Sequence, residues 1–207
     1  MKIIFATGNK GKLAEIRAIL DSQRFEIISM KETGFDREII EDGTTYEENA
    51  LIKVRAVRKY LEETGYPGEY VVMADDSGLE VDWLGGKPGI YSARYMGEDT
   101  PYSVKNQAII DALEGVPDEQ RGARFVCAIA MLFPDGTEKT TRATYEGIVA
   151  REAKGTNGFG YDPMFFLPKY NATDAELPIE VKNHNSHRAK ALKQAEMILG
   201  DGVSGSN

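Results

Sequence analysis

The sequence predicts an α/β fold, because short apolar strands and an amphipathic helix alternate along its first part. Residues 3–6 form a strand-like apolar run, and residues 25–30 form a second one. Between the two runs, apolar residues recur at helical spacing and define one helix face. That face comprises Leu13, Ile16, Ile19 and Leu20. We therefore expect a β-α-β unit within a single domain over residues 1–200, followed by a flexible tail over residues 201–207.

The middle of the chain predicts a second helix and a buried strand. The helix is expected from Thr44 onward, and the side chains of Thr45 and Glu48 match a capping box. Residues 71–74 have the composition of a buried strand and run directly into Asp75-Asp76-Ser77-Gly78. We interpret that string as an acidic turn and residues 79–84 as a further strand.

The second half of the chain predicts a helix, a β-hairpin and a terminal helix. The first helix covers residues 102–113. Strands over residues 124–133 and 139–149 are joined by a short glycine-containing turn, which is typical of a hairpin. The last helix covers residues 186–199, and Gly200 marks its end.

The composition excludes several classes of protein. The chain is 42% apolar and 28% charged, with a net charge of −8, which argues against broad binding to nucleic acid. The single cysteine, Cys127, lies in an apolar run, so we expect neither an internal disulfide nor a cysteine-rich zinc site. Residues 2–6 lack a signal-peptide pattern, and no apolar run approaches the length of a membrane span. We expect a cytoplasmic protein that binds no membrane.

A lysine-bearing segment between the first strand and the first helix suggests phosphate binding. It reads Thr7-Gly8-Asn9-Lys10-Gly11-Lys12. Glycines let backbone amides approach an anion, and the helix N-terminus and the lysines supply positive charge. The segment is not a P-loop, since Ala6 and Leu13 stand where that motif has a glycine and a hydroxyl. The alternative is a solvated turn that caps the helix.

Two adjacent carboxylates, Asp75 and Asp76, follow the buried strand. Ligand sites of α/β sheets tend to lie at the carboxyl ends of strands. Together with Glu41 from a nearby loop, they suggest a Mg²⁺ site, because Mg²⁺ prefers oxygen ligands and substrate phosphates. One carboxylate could also take a proton from an attacking water. The alternative is a structural turn that leaves the sheet.

The string Gly158-Phe159-Gly160-Tyr161-Asp162-Pro163 suggests a surface on which a base stacks. Its alternative is a turn whose aromatic side chains fold into the core.

Lys182 and the string Ser186-His187-Arg188 place hydrogen-bond donors at the start of the last helix. Such donors could bind a carbonyl oxygen on a purine and disfavour an amino group there. The alternative is a helix cap with surface basic residues.

Taken together, these segments resemble the inosine triphosphate pyrophosphatase family, also called dITP/XTP pyrophosphatases, over nearly the whole chain. Further shared strings are Tyr46-Glu47-Glu48-Asn49-Ala50, Pro88-Gly89-Ile90-Tyr91-Ser92-Ala93-Arg94-Tyr95 and Ala175-Glu176-Leu177. The resemblance implies a long mixed sheet flanked by helices, two lobes around a central cleft, and a homodimer. It also implies Mg²⁺-dependent hydrolysis of ITP, dITP or XTP to the monophosphate and pyrophosphate, by attack of water on the α-phosphorus.

The same resemblance implies a role for individual residues. Asp76 is the general base and a metal ligand, Ser77 contacts the substrate, and Glu41 is the second metal ligand. Asp42 is a rival for that last role, because the family often has Glu-Thr-Gly where this chain has Glu41-Asp42-Gly43. The residues implied to hold the triphosphate are Thr7, Gly8, Asn9, Lys10, Gly11, Lys12 and Lys53. Those implied to form the base pocket are Phe159, Gly160, Tyr161, Asp162, Lys182, His187 and Arg188.

Two other functions remain as alternatives. One is a triphosphate enzyme that selects modified pyrimidines, as in a related septum-formation-inhibitor-like group, against which the Ser186-His187-Arg188 string argues. The other is a nucleotide sensor without turnover, which requires the acidic turn to be purely structural. The sequence does not rank ITP against XTP, since both present a carbonyl at the same ring position.

Overall fold

A computed structural model describes residues 1–203 of the chain, with side chains for residues 1–200. Strands and helices alternate through this range, as predicted. The strands are β1 (Lys2–Phe5), β2 (Glu26–Ser29), β3 (Val71–Val81), β4 (Gly122–Leu132), β5 (Glu138–Val149), β6 (Phe165–Leu167) and β7 (Ala172–Thr173). The α-helices are α1 (Lys10–Ile19), α2 (Tyr46–Glu63), α3 (Tyr102–Ala112), α4 (Ile179–Asn185) and α5 (His187–Val203).

The strands of this range form one mixed sheet in the order β2-β1-β3-β4-β5-β6-β7. Strand β1 pairs in parallel with β2 and with β3, so that Phe5 lies opposite Ser29 on one side and Met73 on the other. Strand β6 pairs antiparallel with both β5 and β7. The long mixed sheet with helices is therefore confirmed.

The chain divides into two compact units, and the first contains Met1–Asp76, Cys127–Ala143 and the described residues from Arg188 onward. Alternate residues of β1 enter two different buried clusters of this unit. Ile3 and Phe5 pack with residues of α1 and α5, whereas Ile4 and Ala6 pack with residues of α2. Because successive side chains of a strand point to opposite faces, β1 is covered on both faces, which explains its uninterrupted apolar sequence.

The second unit contains Ser77–Val126 and Thr144–His187. It has one buried apolar cluster, in which Leu79 of β3 and Phe165 of β6 pack with Ile109 of α3. Tyr161 belongs to the same cluster and is 4% exposed. The domain limits and the cleft expected from the sequence remain predictions.

The predicted acidic turn is wrong, because Asp75-Asp76-Ser77-Gly78 lies inside β3. Strand β3 runs without interruption from Val71 to Val81 and also includes the first half of the separate strand predicted over residues 79–84, whereas Asp82–Leu84 form a 3-10 helix. The two carboxylates do not end the strand; their neighbours in the fold neutralise them, as described below. Sequence reasoning took two adjacent aspartates and a glycine as turn formers, and tertiary contacts override that local preference.

Two helix boundaries differ from the predictions, and one helix was not predicted. Helix α1 begins at Lys10, inside the segment predicted as a loop. Helix α4 was not predicted, and it places residues 179–185 just before the terminal helix. Helix α5 continues past Gly200 to Val203, so the first part of the predicted tail is helical. Residues 204–207 lie outside the described residues.

Candidate active site

Asp75 and Asp76 occupy the middle of β3 in the first unit and are 1% and 7% exposed. Because side chains alternate along a strand, the two carboxylates point to opposite faces of the sheet and meet different partners. Burying a carboxylate is costly unless charges or hydrogen bonds compensate it. The partners of each carboxylate therefore define its chemistry.

Asp76 faces side chains of helix α2. The Lys53 ammonium lies 3.6 Å from Asp76 Oδ1, and the Asn49 amide donates a hydrogen bond of 3.2 Å to Asp76 Oδ2. Lys53 and Asn49 are one helical turn apart, so α2 presents both to the same carboxylate. The same ammonium lies 2.8 Å from Glu41 Oε2. The Lys53 ammonium thus lies close to both Asp76 and Glu41, and the roles of these three residues stay predictions.

A hydrogen bond to Asn49 connects the loop that carries Glu41 to helix α2. The backbone N–H of Gly43 donates to Asn49 Oδ1 at 2.9 Å, and a Cβ on Gly43 would lie only 2.7 Å from that oxygen. A glycine is needed at this close approach. Asp42, the rival of Glu41 in the sequence analysis, is exposed.

Asp75 lies in a second network, with basic groups from α1 and α5. Its Oδ2 lies 2.9 Å from the Lys12 ammonium and 3.4 Å from Arg188 Nε. Arg188 also donates through Nη1 to Glu15, and both of these side chains are buried. Arg188 is therefore held by two carboxylates within the first unit.

The fold shifts the pKa values of the two aspartates in opposite directions. Burial raises the pKa of Asp76, and the attraction of Lys53 and Lys12 does not fully offset it. Burial also opposes the ionisation of Asp75, but Lys12 and Arg188 outweigh it and hold the pKa of Asp75 well below its usual range. For Lys53 too, burial is outweighed by Asp76, Asp75 and Glu41, so its pKa is raised. Asp76 is consequently the more basic of the two aspartates, which suits a proton acceptor.

The donor set around Asp76 fits a magnesium ion. Among residues 1–203, no three acidic, histidine or cysteine side chains converge as a complete metal cage. Mg²⁺ is usually bound by one or two carboxylates together with substrate phosphates and water, so a full protein cage is not required. Asp76 and Glu41 already face one positive charge, that of Lys53. These two carboxylates are the residues that fit such an ion.

The predicted phosphate segment forms the N-terminus of α1. Asn9 caps this helix by accepting a hydrogen bond of 3.1 Å from the Lys12 backbone N–H, and Thr7 Oγ1 accepts one of 3.2 Å from the Asn9 N–H. Gly8, Asn9 and Lys10 are exposed, while Thr7, Gly11 and Lys12 are half-buried. The segment therefore has the helix cap of one interpretation and the exposed glycine and lysine of the other.

Asp162 and Lys182 form a buried ion pair in the second unit, where Asp162 Oδ2 also accepts the Phe159 N–H at 2.9 Å. The Lys182 ammonium lies 4.8 Å from the centre of the Phe159 ring and 3.8 Å from Asp174 Oδ2. Gly158 has a φ of 73°, and a Cβ there would collide with Asp162 Oδ2. The structure thus brings Phe159, Asp162 and Lys182 together.

The other predicted base-pocket residues have different surroundings. Tyr161 is buried, and its hydroxyl donates to the Ser92 carbonyl at 2.6 Å. Gly160 is half-buried, and its carbonyl accepts a hydrogen bond of 3.2 Å from Asn106. His187 is 5% exposed and stacks on Phe125, with ring centres 4.9 Å apart and planes inclined by 18°. Ser77 is half-buried in β3. The contacts of these residues with a substrate stay predictions.

Sequence reasoning missed three buried residues that touch predicted site residues. Glu15 contacts Arg188, Asp174 contacts Lys182, and Phe125 contacts His187. Glu15 interrupts the apolar face of α1 next to Ile16, which is a weak signal of a buried partner. Phe125 reads as an ordinary core residue of β4, and nothing in its local sequence indicates the histidine partner, which is far away along the chain.

Comparison with known proteins identifies relatives along nearly the whole chain. The sequence model of the Ham1 family matches residues 3–197. A dITP/XTP pyrophosphatase of Desulforamulus reducens is 45% identical over 96% of this chain and 96% of its own length. One of Bacillus subtilis is 44% identical over 95% of this chain and 96% of its own length. The structure of the Staphylococcus aureus Ham1 protein matches 98% of this chain and 100% of its own length, with a TM-score of 0.84 and 38% identity.

Proposed function

This chain belongs to the Ham1 family, and we propose that it is a nucleoside triphosphate pyrophosphatase acting on deaminated purine nucleotides. The substrates would be ITP, dITP or XTP, and the products the nucleoside monophosphate and pyrophosphate. Relatives named dITP/XTP pyrophosphatase support this class of substrate. The observation that carries the proposal is the convergence of Lys53, Asn49 and Glu41 around the buried carboxylate of Asp76.

The reaction uses Asp76 as the general base. Water attacks the α-phosphorus, its proton passes to the Asp76 carboxylate, and the bond from the α-phosphorus to the oxygen bridging to the β-phosphate breaks. The raised pKa of Asp76, which is due to burial, makes this carboxylate a better proton acceptor than its neighbour. Asp75 instead stays ionised beside Lys12 and Arg188, so it supports the site without exchanging a proton.

Magnesium is the proposed cofactor, bound by Asp76 and Glu41. When bound, the ion would neutralise the negative charge of the phosphates that develops in the reaction. The exposed position of Asp42 and the 2.8 Å contact of Glu41 with Lys53 favour Glu41 as the second ligand.

The triphosphate is proposed to lie along the α1 N-terminus and the two lysines of the first unit. The backbone N–H groups of Gly8, Lys10 and Gly11 and the exposed Lys10 side chain suit an anion. Lys12 and Lys53 supply further positive charge, and each is held in place by a carboxylate. Phosphoryl transfer depends mainly on such positioning and charge compensation.

The second unit supplies the proposed contacts to the base. Phe159 offers a half-buried aromatic ring, and Asp162 and Lys182 offer an acceptor and a donor beside it. His187 adds an imidazole that could donate to the carbonyl of a deaminated purine, a group that adenine lacks. Gly160 and Tyr161 complete the base contacts proposed for this unit. Arg188, which belongs to the first unit, is also proposed for the base pocket, and Ser77 is proposed to contact the substrate.

A pyrophosphate-release assay over ITP, dITP, XTP, ATP, GTP and dUTP, with Mg²⁺ or with EDTA, tests the proposal. We expect ITP or XTP to be hydrolysed at least about 100-fold faster than ATP, because a buried donor facing an amino group is costly. EDTA should abolish the activity. Equal rates on all purine nucleotides would contradict the substrate assignment. Activity retained in EDTA would contradict the requirement for Mg²⁺.

The same assay separates the two alternatives. Turnover of a pyrimidine triphosphate above that of ITP would favour the pyrimidine enzyme. Saturable ITP binding without pyrophosphate release would favour the sensor.

We further propose that the enzyme acts in the cytoplasm as a homodimer and binds no nucleic acid. No helix among residues 1–203 is both long and apolar enough to cross a bilayer. Light scattering coupled to gel filtration tests the assembly, and a mass equal to that of one chain would contradict it.

A further inference from the structure

His187 carries a ring whose plane must be set by its surroundings. The χ2 angle of histidine has broad minima, so torsional preference alone does not orient the imidazole. His187 is 5% exposed and opens helix α5, where Ser186 before it is in an extended conformation. A hydrogen bond to a base depends on the direction of a ring N–H. Whatever fixes the plane of this ring therefore affects how the ring meets a base.

Phe125 stacks on this imidazole within the second unit. The two rings are nearly parallel, with centres 4.9 Å apart and an angle of 18° between them. The centre of the Phe125 ring lies 4.4 Å from that of the Phe165 ring, which is fully buried. The centre of the Phe165 ring lies 5.8 Å from that of Tyr145. Since buried aromatic rings at these distances pack closely, Phe125 has little freedom to move.

We propose that Phe125 is a positioning residue, whose ring holds the His187 imidazole in the plane from which it meets a purine base. Phe125 thereby sets part of the preference for deaminated bases without touching the phosphates. This inference rests on the proposed function for its effect on substrate choice. The orientation of the imidazole itself does not depend on that function and can be measured separately.

Substitution of Phe125 by Leu removes the stacking surface and keeps an apolar side chain of similar size. We expect the KM for ITP to rise about 3- to 10-fold, the range implied by the strength of a stacked aromatic pair. The kcat for ITP and the KM for ATP should change by less than about twofold, because Phe125 contacts no residue proposed for the chemical step. Phe125→Tyr keeps the ring and should restore the KM for ITP.

A double-mutant cycle with His187→Gln separates positioning from general packing. If Phe125 acts through the imidazole, Phe125→Leu should change the KM for ITP by less than about twofold once His187 is glutamine. Persistence of the full KM increase in that background would overturn the proposal. Phe35→Leu is the matched control, because Phe35 is also buried and pairs with Tyr60 at 5.1 Å, in the first unit. It should lower Tm and leave the KM for ITP unchanged.

Nuclear magnetic resonance of the imidazoles tests the orientation without nucleotide. The chain has two histidines, and His184 is exposed, so it serves as an internal reference. Phe125→Leu should move the ring resonances of His187 by more than the loss of the Phe125 ring current alone accounts for, and it should leave those of His184 in place; Phe125→Tyr should return them. His187 resonances that stay in place, or that move only by the lost ring current, would overturn the proposal. If wild-type protein fails to hydrolyse ITP while these shifts occur, the proposed function fails and the positioning of His187 by Phe125 stands.

Discussion

The two units bury ionised side chains in different ways. In the first unit, charges are compensated almost entirely by other charges, with Asp75 between Lys12 and Arg188 and with Lys53 between Asp76 and Glu41. In the second unit, the Lys182 ammonium meets two carboxylates and also an aromatic ring, and the buried imidazole of His187 stacks on a second ring.

This difference matches two kinds of ligand surface. A network of alternating charges can rearrange its pairings around phosphates and a divalent cation, which carry several charges of their own. A flat heteroaromatic base needs ring faces and a few directed donors and acceptors. We therefore expect the phosphate chemistry to depend mainly on the first unit and the selection of the base mainly on the second. Substitutions in the first unit should therefore lower kcat or the free energy of unfolding, and substitutions in the second unit should raise the KM.

The strongest test of the comparison is Asp76→Asn. Loss of the general base should lower kcat for ITP by about 100- to 10,000-fold, with little change in KM, since no base contact is altered. Steady-state pyrophosphate release measures both parameters. Asp135→Asn is the control, because Asp135 is an exposed turn residue of the same unit and should leave activity unchanged. More than a tenth of wild-type activity in Asp76→Asn would remove this residue from the role of base.

Arg188→Met tests whether the first unit depends on charge compensation for stability. The substitution leaves Glu15 buried with no guanidinium and takes one of the two cations from Asp75. We expect the free energy of unfolding to fall by about 3–5 kcal/mol, as for other buried pairs that lose one partner. Urea denaturation measures it.

Arg24→Met is the matched control for this stability prediction. Arg24 pairs with Glu196 at 2.9 Å, but its side chain is 51% exposed. The expected loss is about 1 kcal/mol or less. Equal losses for Arg24→Met and Arg188→Met would show that burial of the Arg188 network contributes little.

Gly158→Ala tests the second unit. A Cβ at this position would collide with Asp162 and lie 2.9 Å from the Lys182 ammonium, so the pair must shift. We expect a roughly tenfold rise in the KM for ITP, since displaced donors and acceptors weaken base contacts, and little change in kcat. Gly85→Ala is the control, because Gly85 has a similar positive φ of 62° and no atom lies within 4 Å of an added Cβ. Gly85→Ala should lose about 1–2 kcal/mol of stability from the positive φ alone, and Gly158→Ala should lose more, because the collision adds to that cost. An equal KM change in both variants would exclude the collision as its cause.

The smallest expected effect concerns Cys127, which is buried in the apolar core of the first unit. Burial raises the pKa of its thiol to about 12, and the thiolate is the reactive form. Native protein should therefore react negligibly with a thiol reagent such as DTNB at pH 8, and unfolded protein should release one equivalent. Fast labelling of the native state, with no loss of activity, would show that this core opens readily.

Much of the fold is predictable because it depends on local patterns. The apolar run of β1, the helical spacing of α1 and the cap at Thr45 each appear within a few residues, and the structure confirms these elements. The ends of elements were less predictable. Gly200 does not end α5, since a single glycine lowers helix stability without excluding a helix.

Some residues of the candidate site were likewise predictable from the sequence, and others were not. Asp76, Glu41 and Lys53 were identified from residue type and from the resemblance to a family, and the structure places them together. Glu15, Asp174 and Phe125 were missed because their partners lie far away in the sequence. Apart from the interrupted apolar face at Glu15, these contacts leave no periodic or compositional mark in the sequence.

From the sequence alone we could predict the alternation of strands and helices, recognise the motifs shared with the family, and name the chemical groups available for catalysis. Tertiary structure decided that Asp75 and Asp76 stand inside a strand and not in a turn. It also decided which of them is the better base, because Lys12 and Arg188 reach one carboxylate and Lys53 and Asn49 the other. The physical reason is that local patterns determine which face a side chain takes, whereas its pKa depends on the charges and burial that the whole fold brings to it.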